Sequence, residues 1–250
     1  ARCEGFPDHT HRSGQIAVDP VDSLSDLAAK LQDIWAIRPN QWDHTMFTKA
    51  RALAHFIWQA TAGRSGFLFH GNDALFKSLA KDAKIYGEYG VGKSTVWMAN
   101  NTSAKVIAVD TSNKWINKVK NQTIRTKNIN IHHSDLGSVG FMGRPRSYSR
   151  REFFSDYTDY LWKQKEKPDL TLIDGRFRVC CFLTSLKFAE EGAKIIFDDY
   201  VNRPQYHVVE KYVARAEECG RQALFVVPAK ECIDMDKLNQ DINAFRNVMD

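Results

Sequence analysis

A chain of 250 residues with 43% hydrophobic and 26% charged residues can build one sizeable core, which excludes a disordered or fibrous protein. Its formal charge of +5 suits an anionic ligand but falls short of a nucleic-acid-coating protein, so nucleic acid is not an expected partner. No apolar run reaches the roughly 20 residues that span a bilayer, and five cysteines (Cys3, Cys180, Cys181, Cys219, Cys232) without C-x-x-C spacing indicate neither a disulfide framework nor a zinc ribbon.

In chain order, residues 1–20 carry Gly, Pro, His and charge without periodicity and predict a flexible arm with no signal-peptide core. Residues 21–72 predict a helical extension or cap. From Ser23, the positions Leu24, Leu27, Ala28, Leu31 and Trp35 keep helical spacing until Pro39. A second helix runs from Asp43 to Ala62, with Met46, Ala50, Leu53, Ile57 and Ala60 on one face and Gly63 as its stop. A third follows Asn72, with Leu75, Phe76 and Leu79 inward.

Residues 73–250 then alternate short β-like runs with helical ones, the signature of an α/β fold: a Rossmann-like, doubly wound, mostly parallel sheet with helices on both faces. The predicted strands are Lys84 to Glu88, Lys105 to Asp110, Ile129 to His133, Leu170 to Asp174, Lys194 to Asp198 and Ala223 to Val227. The predicted helices are Lys93 to Asn101, Ser112 to Asn121, Arg151 to Lys163, Arg178 to Glu191 and Gln205 to Cys219, with a last amphipathic one aligning Leu238, Ile242 and Phe245.

The stretch from Ile85 to Thr95 satisfies two nucleotide-binding patterns at once. Read from Gly87 it is G-x-x-x-x-G-K-S, the loop that cradles a triphosphate with Lys93 and Ser94, and with Asp174 as the Mg²⁺-holding strand end; that reading gives an ATPase or kinase. Read from Glu88 it is E-x-G-x-G, a strand end and glycine turn that bring backbone against an adenosyl ligand. A Rossmann-like domain that binds nucleotide without turnover is the third reading.

Acidic residues favour the second, with the triphosphate reading left open. Four successive predicted strands end at or just before Glu88, Asp110, Asp135 and Asp174, and in an open α/β sheet the ligand crevice lies beyond the carboxyl ends of the strands. Asp110 closes an apolar run about 20 residues after the glycine turn, the separation at which a carboxylate accepts both ribose hydroxyls. A triphosphate loop has no use for it. Any one of these residues could be a helix cap, but four in register with one glycine turn point to a nucleoside.

The ordered segments EYGVGKST, VIAVDTS, IHHSDLG, PDLTLIDGRFR and AKIIFDDY resemble the class I S-adenosylmethionine-dependent methyltransferases, particularly uncharacterised bacterial members with E-Y-G-x-G-x-S-T and L-I-D-G-R-F-R segments. The resemblance covers roughly residues 73–228. It implies S-adenosylmethionine as cofactor and methyl transfer to a small or carbohydrate-like acceptor. Glu88, Gly90 and Gly92 would shape the methionine pocket, followed by Lys93 and Ser94; Asp110 with Thr111 would hold the ribose, and Asp135 with Leu136 the adenine. Asp174 would face the methyl donor. Lys93 departs from the small residue usual there.

LIDG followed by FDDY also resembles the catechol-type branch, which implies Mg²⁺ on Asp174, Asp198 and Asp199, with Asp174, Asp199 and Arg176 as candidate catalytic residues. The long connection holding Arg144, Arg146, Arg150 and Arg151, with Arg176, Arg178 and Arg203 nearby, points to an anionic acceptor. Tyr200, Tyr206 and His207 are candidates to line the acceptor site. The expected setting is the cytoplasm without membrane attachment, and homo-oligomerisation is left open.

Overall fold

The computed structural model describes Leu68, Phe69 and residues 72–250. The expected arm and the first two expected helices lie outside the described residues. The elements in order are α1 (Ala74–Ala80), β1 (Ile85–Tyr89), α2 (Lys93–Asn101), β2 (Lys105–Asp110), α3 (Asn113–Gln122), β3 (Ile129–His133), α4 (Phe154–Thr158), β4 (Leu170–Ile173), α5 (Arg178–Phe188), β5 (Lys194–Phe197), β6 (Glu217–Cys219), β7 (Gln222–Val226) and α6 (Met235–Phe245).

The strands form one seven-stranded sheet in the order β3-β2-β1-β4-β5-β7-β6. β1 to β5 are parallel, β7 runs antiparallel to β5, and β6 returns antiparallel to β7. β1, β2, β4 and β5 are buried on both faces because helices cover both, which is why they read as near-continuous apolar runs. One core layer joins Phe76 of α1 and Met98 of α2 to Tyr86, Leu172 and Ile196. The opposite layer packs Phe182 of α5 and Leu238 of α6 on Tyr89, Ile173 and Phe197. The order reverses between β1 and β4, and the carboxyl ends of the parallel strands meet there.

Two expected helices are corrected. Gln205 to Cys219 is a 3₁₀ stretch over Pro204–Lys211 followed by β6, which turns into β7 through Gly220 at φ 63°. Arg151 to Lys163 is broken into a 3₁₀ turn, the short α4 and another 3₁₀ turn. Among the described residues, no helix is long and apolar enough to cross a membrane.

Candidate functional site

Strand register builds the site. Tyr89 lies beside Val109 and Ile173, and Ile173 beside Phe197. Bonds from Gly90 N to Val109 O (2.9 Å), Asp174 N to Tyr89 O (3.1 Å) and Asp198 N to Ile173 O (3.0 Å) carry that register one residue further. Asp110, Gly90, Asp174 and Asp198 therefore form a row along the carboxyl rim, on the sheet face that also carries Glu88 one pleat deeper. Asp135 stands apart from this row. It is exposed, two residues beyond the end of β3, where it accepts from Gly137 N (3.0 Å) and pairs with Arg150, while neighbouring Leu136 is buried.

The turn from β1 to α2 has only three residues, Gly90, Val91 and Gly92. Gly90 holds φ 86°, and a Cβ there would come within 2.8 Å of Gly175 Cα and 2.9 Å of Asp174 O, so only glycine lets the β1 and β4 ends touch. Gly175 is tighter still, since a Cβ would lie 2.0 Å from Tyr157 Oη. At Gly92 the same direction is open, leaving a cradle beside the row.

Asp110 is fixed by peptide groups. Val91 N donates to Oδ2 (2.9 Å) and Ser112 N to Oδ1 (2.7 Å), so each oxygen keeps a lone pair for a ligand hydroxyl. Burial raises its pKa and these two bonds oppose the rise. Thr111 next to it donates Oγ1 to Gly143 O (2.6 Å), which draws the following connection over the end of β2.

The triphosphate reading fails on this geometry. Gly87 is a strand residue paired with Ile107 and Thr171, so the chain between Gly87 and Lys93 cannot wrap a phosphate group. The Ser94 hydroxyl, needed there for Mg²⁺, is buried and donates to Glu88 Oε1. Lys93 is exposed at the first turn of α2. Glu88 is wholly buried with Oε2 unpartnered, and burial pushes its carboxyl up to about 8 against the Ser94 bond.

At β4 and β5 arginines hold the carboxylates. Buried Arg178 donates from Nη2 to Asp174 Oδ1 (3.1 Å), from Nη1 to Asp198 O (2.8 Å) and from Nε to Gly175 O (3.0 Å). Asp199 takes Arg203 on Oδ2 (2.5 Å) and Arg221 on Oδ1 (2.6 Å), and Arg221 lies 3.8 Å from Asp198 Oδ2. Asp199 (φ 55°) and Phe177 (φ 54°) both hold left-handed backbone at the edges of this network. Burial and then the neighbouring Asp198 charge raise the Asp174 pKa well above the ordinary carboxylate value, while Arg178 opposes them.

Mg²⁺ does not fit here. The ion needs carboxylate oxygens free to coordinate it, and guanidinium groups already meet Asp174 and both oxygens of Asp199. Among the described residues, no group of three His, Cys, Asp or Glu side chains could hold a metal.

Arg176 follows Gly175, whose Cα packs against Gly90 at the end of β4. Its N–H donates to Tyr157 Oη (3.2 Å), Nη1 to Asp250 O (2.6 Å), and its buried Nε has no partner. The other aromatic and histidine candidates are packed: Tyr200 donates to Glu210 Oε1 (2.8 Å), His207 stacks on Tyr200, and Tyr206 is buried. His132 pairs with Asp156 (2.8 Å) and His133 with Thr111 O (3.2 Å), so the two serve separate partners. Sequence reasoning missed Arg178 as the hub, although its spacing of four from Asp174 was a visible signal. It missed Tyr157 and Asp250 too, and no local pattern marks either.

No protein-family model and no curated protein matches the chain. Among solved structures, a methyltransferase-like protein from Silicibacter pomeroyi is 28% identical over 72% of this chain and 96% of its own, with a TM-score of 0.63. A putative O-methyltransferase from Klebsiella pneumoniae is 18% identical over 81% and 97%, TM-score 0.46. A methyltransferase from Geobacter sulfurreducens is 14% identical over 84% and 99%, TM-score 0.46.

Proposed function

We propose that this chain, which has the fold of the class I S-adenosylmethionine-dependent methyltransferases, moves the donor's methyl group to a small or carbohydrate-like acceptor. The observation that carries this reading is the row of Asp110, Gly90 and Asp174 in register at the reversal point of the sheet. When bound, S-adenosylmethionine supplies an electrophilic methyl on a sulfonium.

The chain's own residues do the positioning. Asp110, its oxygens aimed by Val91 and Ser112 N–H, accepts the ribose hydroxyls. The turn at Gly90 and the open cradle at Gly92 take the methionyl end. Asp174 is the one carboxylate of the network with substantial side-chain exposure, 37%, and Arg178 engages only its Oδ1. Its remaining oxygen is the base that takes the acceptor's proton, and its raised pKa makes it a competent one near neutral pH. Arg178 holds that carboxylate without a metal ion. The free cysteines Cys180, Cys181, Cys219 and Cys232 support a reducing, cytoplasmic setting.

Calorimetric titration with S-adenosylhomocysteine, S-adenosylmethionine and Mg-ATP tests this. Saturable binding of both sulfur nucleosides is expected. Binding of ATP alone would overturn the reading.

A further inference from the structure

Charge is segregated along the chain. Residues 93–151 hold eleven of the 35 Lys and Arg but only two of the 30 Asp and Glu, Asp110 and Asp135, so the remainder of the chain is net negative. This segment builds α2, β2, α3, β3 and the start of the connection after β3, and β3 with β2 forms one edge of the sheet. Asp110 is buried and Asp135 is paired with Arg150, whereas Lys114, Lys118, Lys120, Arg125 and Lys127 are exposed. Such asymmetry is the electrostatic footprint of a polyanionic partner, either a nucleic acid or a membrane surface.

The same segment carries an apolar apex. Of eight large hydrophobic side chains exposed among the described residues, Phe141, Met142, Tyr148 and Phe153 lie within one stretch and are between 38% and 60% exposed. They sit on and beside an ordered hairpin: Val139 bridges Pro145, Gly140 N donates to Arg144 O (2.7 Å) and Arg146 N to Ser138 O (2.9 Å). Phe141–Gly143 close it in a 3₁₀ turn with Met142 left-handed at φ 54°. Thr111 and Asp135 pin it through Gly143 O and Arg150. Arg144 and Arg146 flank the apex, and the Arg150 guanidinium lies 5.0 Å from the Phe153 ring centre. A pinned turn that leaves Phe and Met in water marks a contact surface.

The chemistry of the apex selects among polyanions. Single-stranded nucleic acid is held by flat rings that stack on bases along a groove, and Met142 has no ring while Phe141 stands at a turn. A second copy joined by a two-fold axis would set this basic face against itself. An anionic bilayer answers both halves, taking apolar side chains into its interface and guanidinium groups onto its phosphates.

We infer that the hairpin at 138–146, with Tyr148 and Phe153, is a docking surface for an anionic phospholipid bilayer. Phe141 and Met142 enter the interface, and Arg144, Arg146 and Arg151 meet headgroup phosphates. A Cβ on Gly143 would lie 3.8 Å from Asp110 Oδ1, so a docked hairpin sets the rim of the candidate site beside the membrane face. The expectation of no membrane attachment drew on the length of apolar runs, which a hairpin apex does not need.

Sedimentation of the full chain with vesicles of phosphatidylcholine, alone or with about a third phosphatidylglycerol, tests this at roughly 0.1 M salt. The chain should sediment with the anionic vesicles and not with the neutral ones. Phe141→Ser combined with Met142→Ser leaves the charge unchanged and should weaken binding about tenfold. Arg144→Gln and Arg146→Gln should each weaken it about fivefold. Should the paired apex variant fail to fold, as judged by circular dichroism, Phe141→Ser alone decides, with a loss of about threefold expected. Absence of binding to anionic vesicles would overturn the inference. So would apex variants that bind as tightly as the unaltered chain, which would reduce the contact to adsorption of charge. Saturable binding of a single-stranded RNA oligonucleotide by a chain that ignores both vesicles would reassign the surface to nucleic acid.

Discussion

The two ends of the carboxylate row bury the same chemical group by different means. At β2, Asp110 is held by two peptide N–H groups, each using one lone pair and leaving another facing outward. At β4 and β5, Asp174, Asp198 and Asp199 are met by Arg178, Arg203 and Arg221, charge against charge. Peptide donors are positioned by the strand and turn themselves, so the nucleoside end should be tuned for affinity with little effect on the fold. A guanidinium network joins segments far apart in the chain, so the transfer end should be part of what keeps the rim assembled.

Breaking the network is expected to have the largest effect. Arg178→Met removes a cation that, among the described residues, bridges the ends of β4 and β5, and leaves Asp174, Asp198 and Asp199 facing each other, which should cost about 3–5 kcal/mol of unfolding free energy in urea. A loss below about 1 kcal/mol would mean the arginines are ornaments on a rim fixed otherwise. Gly175→Ala probes the seam between the two ends, because the added methyl meets Tyr157 Oη and the Gly90 backbone. A destabilisation of about 1–3 kcal/mol is expected, measured the same way. Asp110→Ala sharpens the contrast from the other side. It should weaken S-adenosylhomocysteine binding by about 1–3 kcal/mol by calorimetry, with a smaller loss of stability than Arg178→Met. Equal stability losses at the two positions would erase the distinction.

Much of this was legible in the sequence, and the failures have physical causes. Lys105–Asp110 and Ile129–His133 were read with their observed bounds, the first because Val106-Ile107-Ala108-Val109 is a strand buried on both faces. The strand Glu217–Cys219 was read as helix because Val209, Tyr212 and Val213 upstream keep helical spacing, while an exposed edge strand of Glu, Glu and Cys carries no alternation. The metal reading of Asp174, Asp198 and Asp199 put three carboxylates just past the ends of β4 and β5, where they lie. What it lacked was their partners, since Arg221 comes from the turn between β6 and β7, beyond any local window. The contact of Gly175 with Tyr157 spans two elements and leaves no mark in the chain.

Glu88 presents a third way to bury a carboxylate, and its effect is read as a dependence on pH rather than as a single loss. It has neither two peptide donors nor a guanidinium, and burial outweighs the hydroxyls of Ser94, Thr95 and Tyr86, so the folded chain keeps it protonated up to about pH 8. The unfolded chain releases that proton near the ordinary value of 4.5. Between these two points the folded state binds more protons than the unfolded one, so this residue lowers stability as pH rises from 4.5 to about 8 and has no further effect outside that window. Each tenfold difference in proton affinity is worth about 1.4 kcal/mol at most. Glu88→Gln has no proton to lose, so its Tm relative to the unaltered chain should climb steadily between pH 5 and pH 8 in thermal scans. Parallel curves would mean the carboxylate is ionised beneath α2, and that a cation or peptide donor serves it there as at the other two ends.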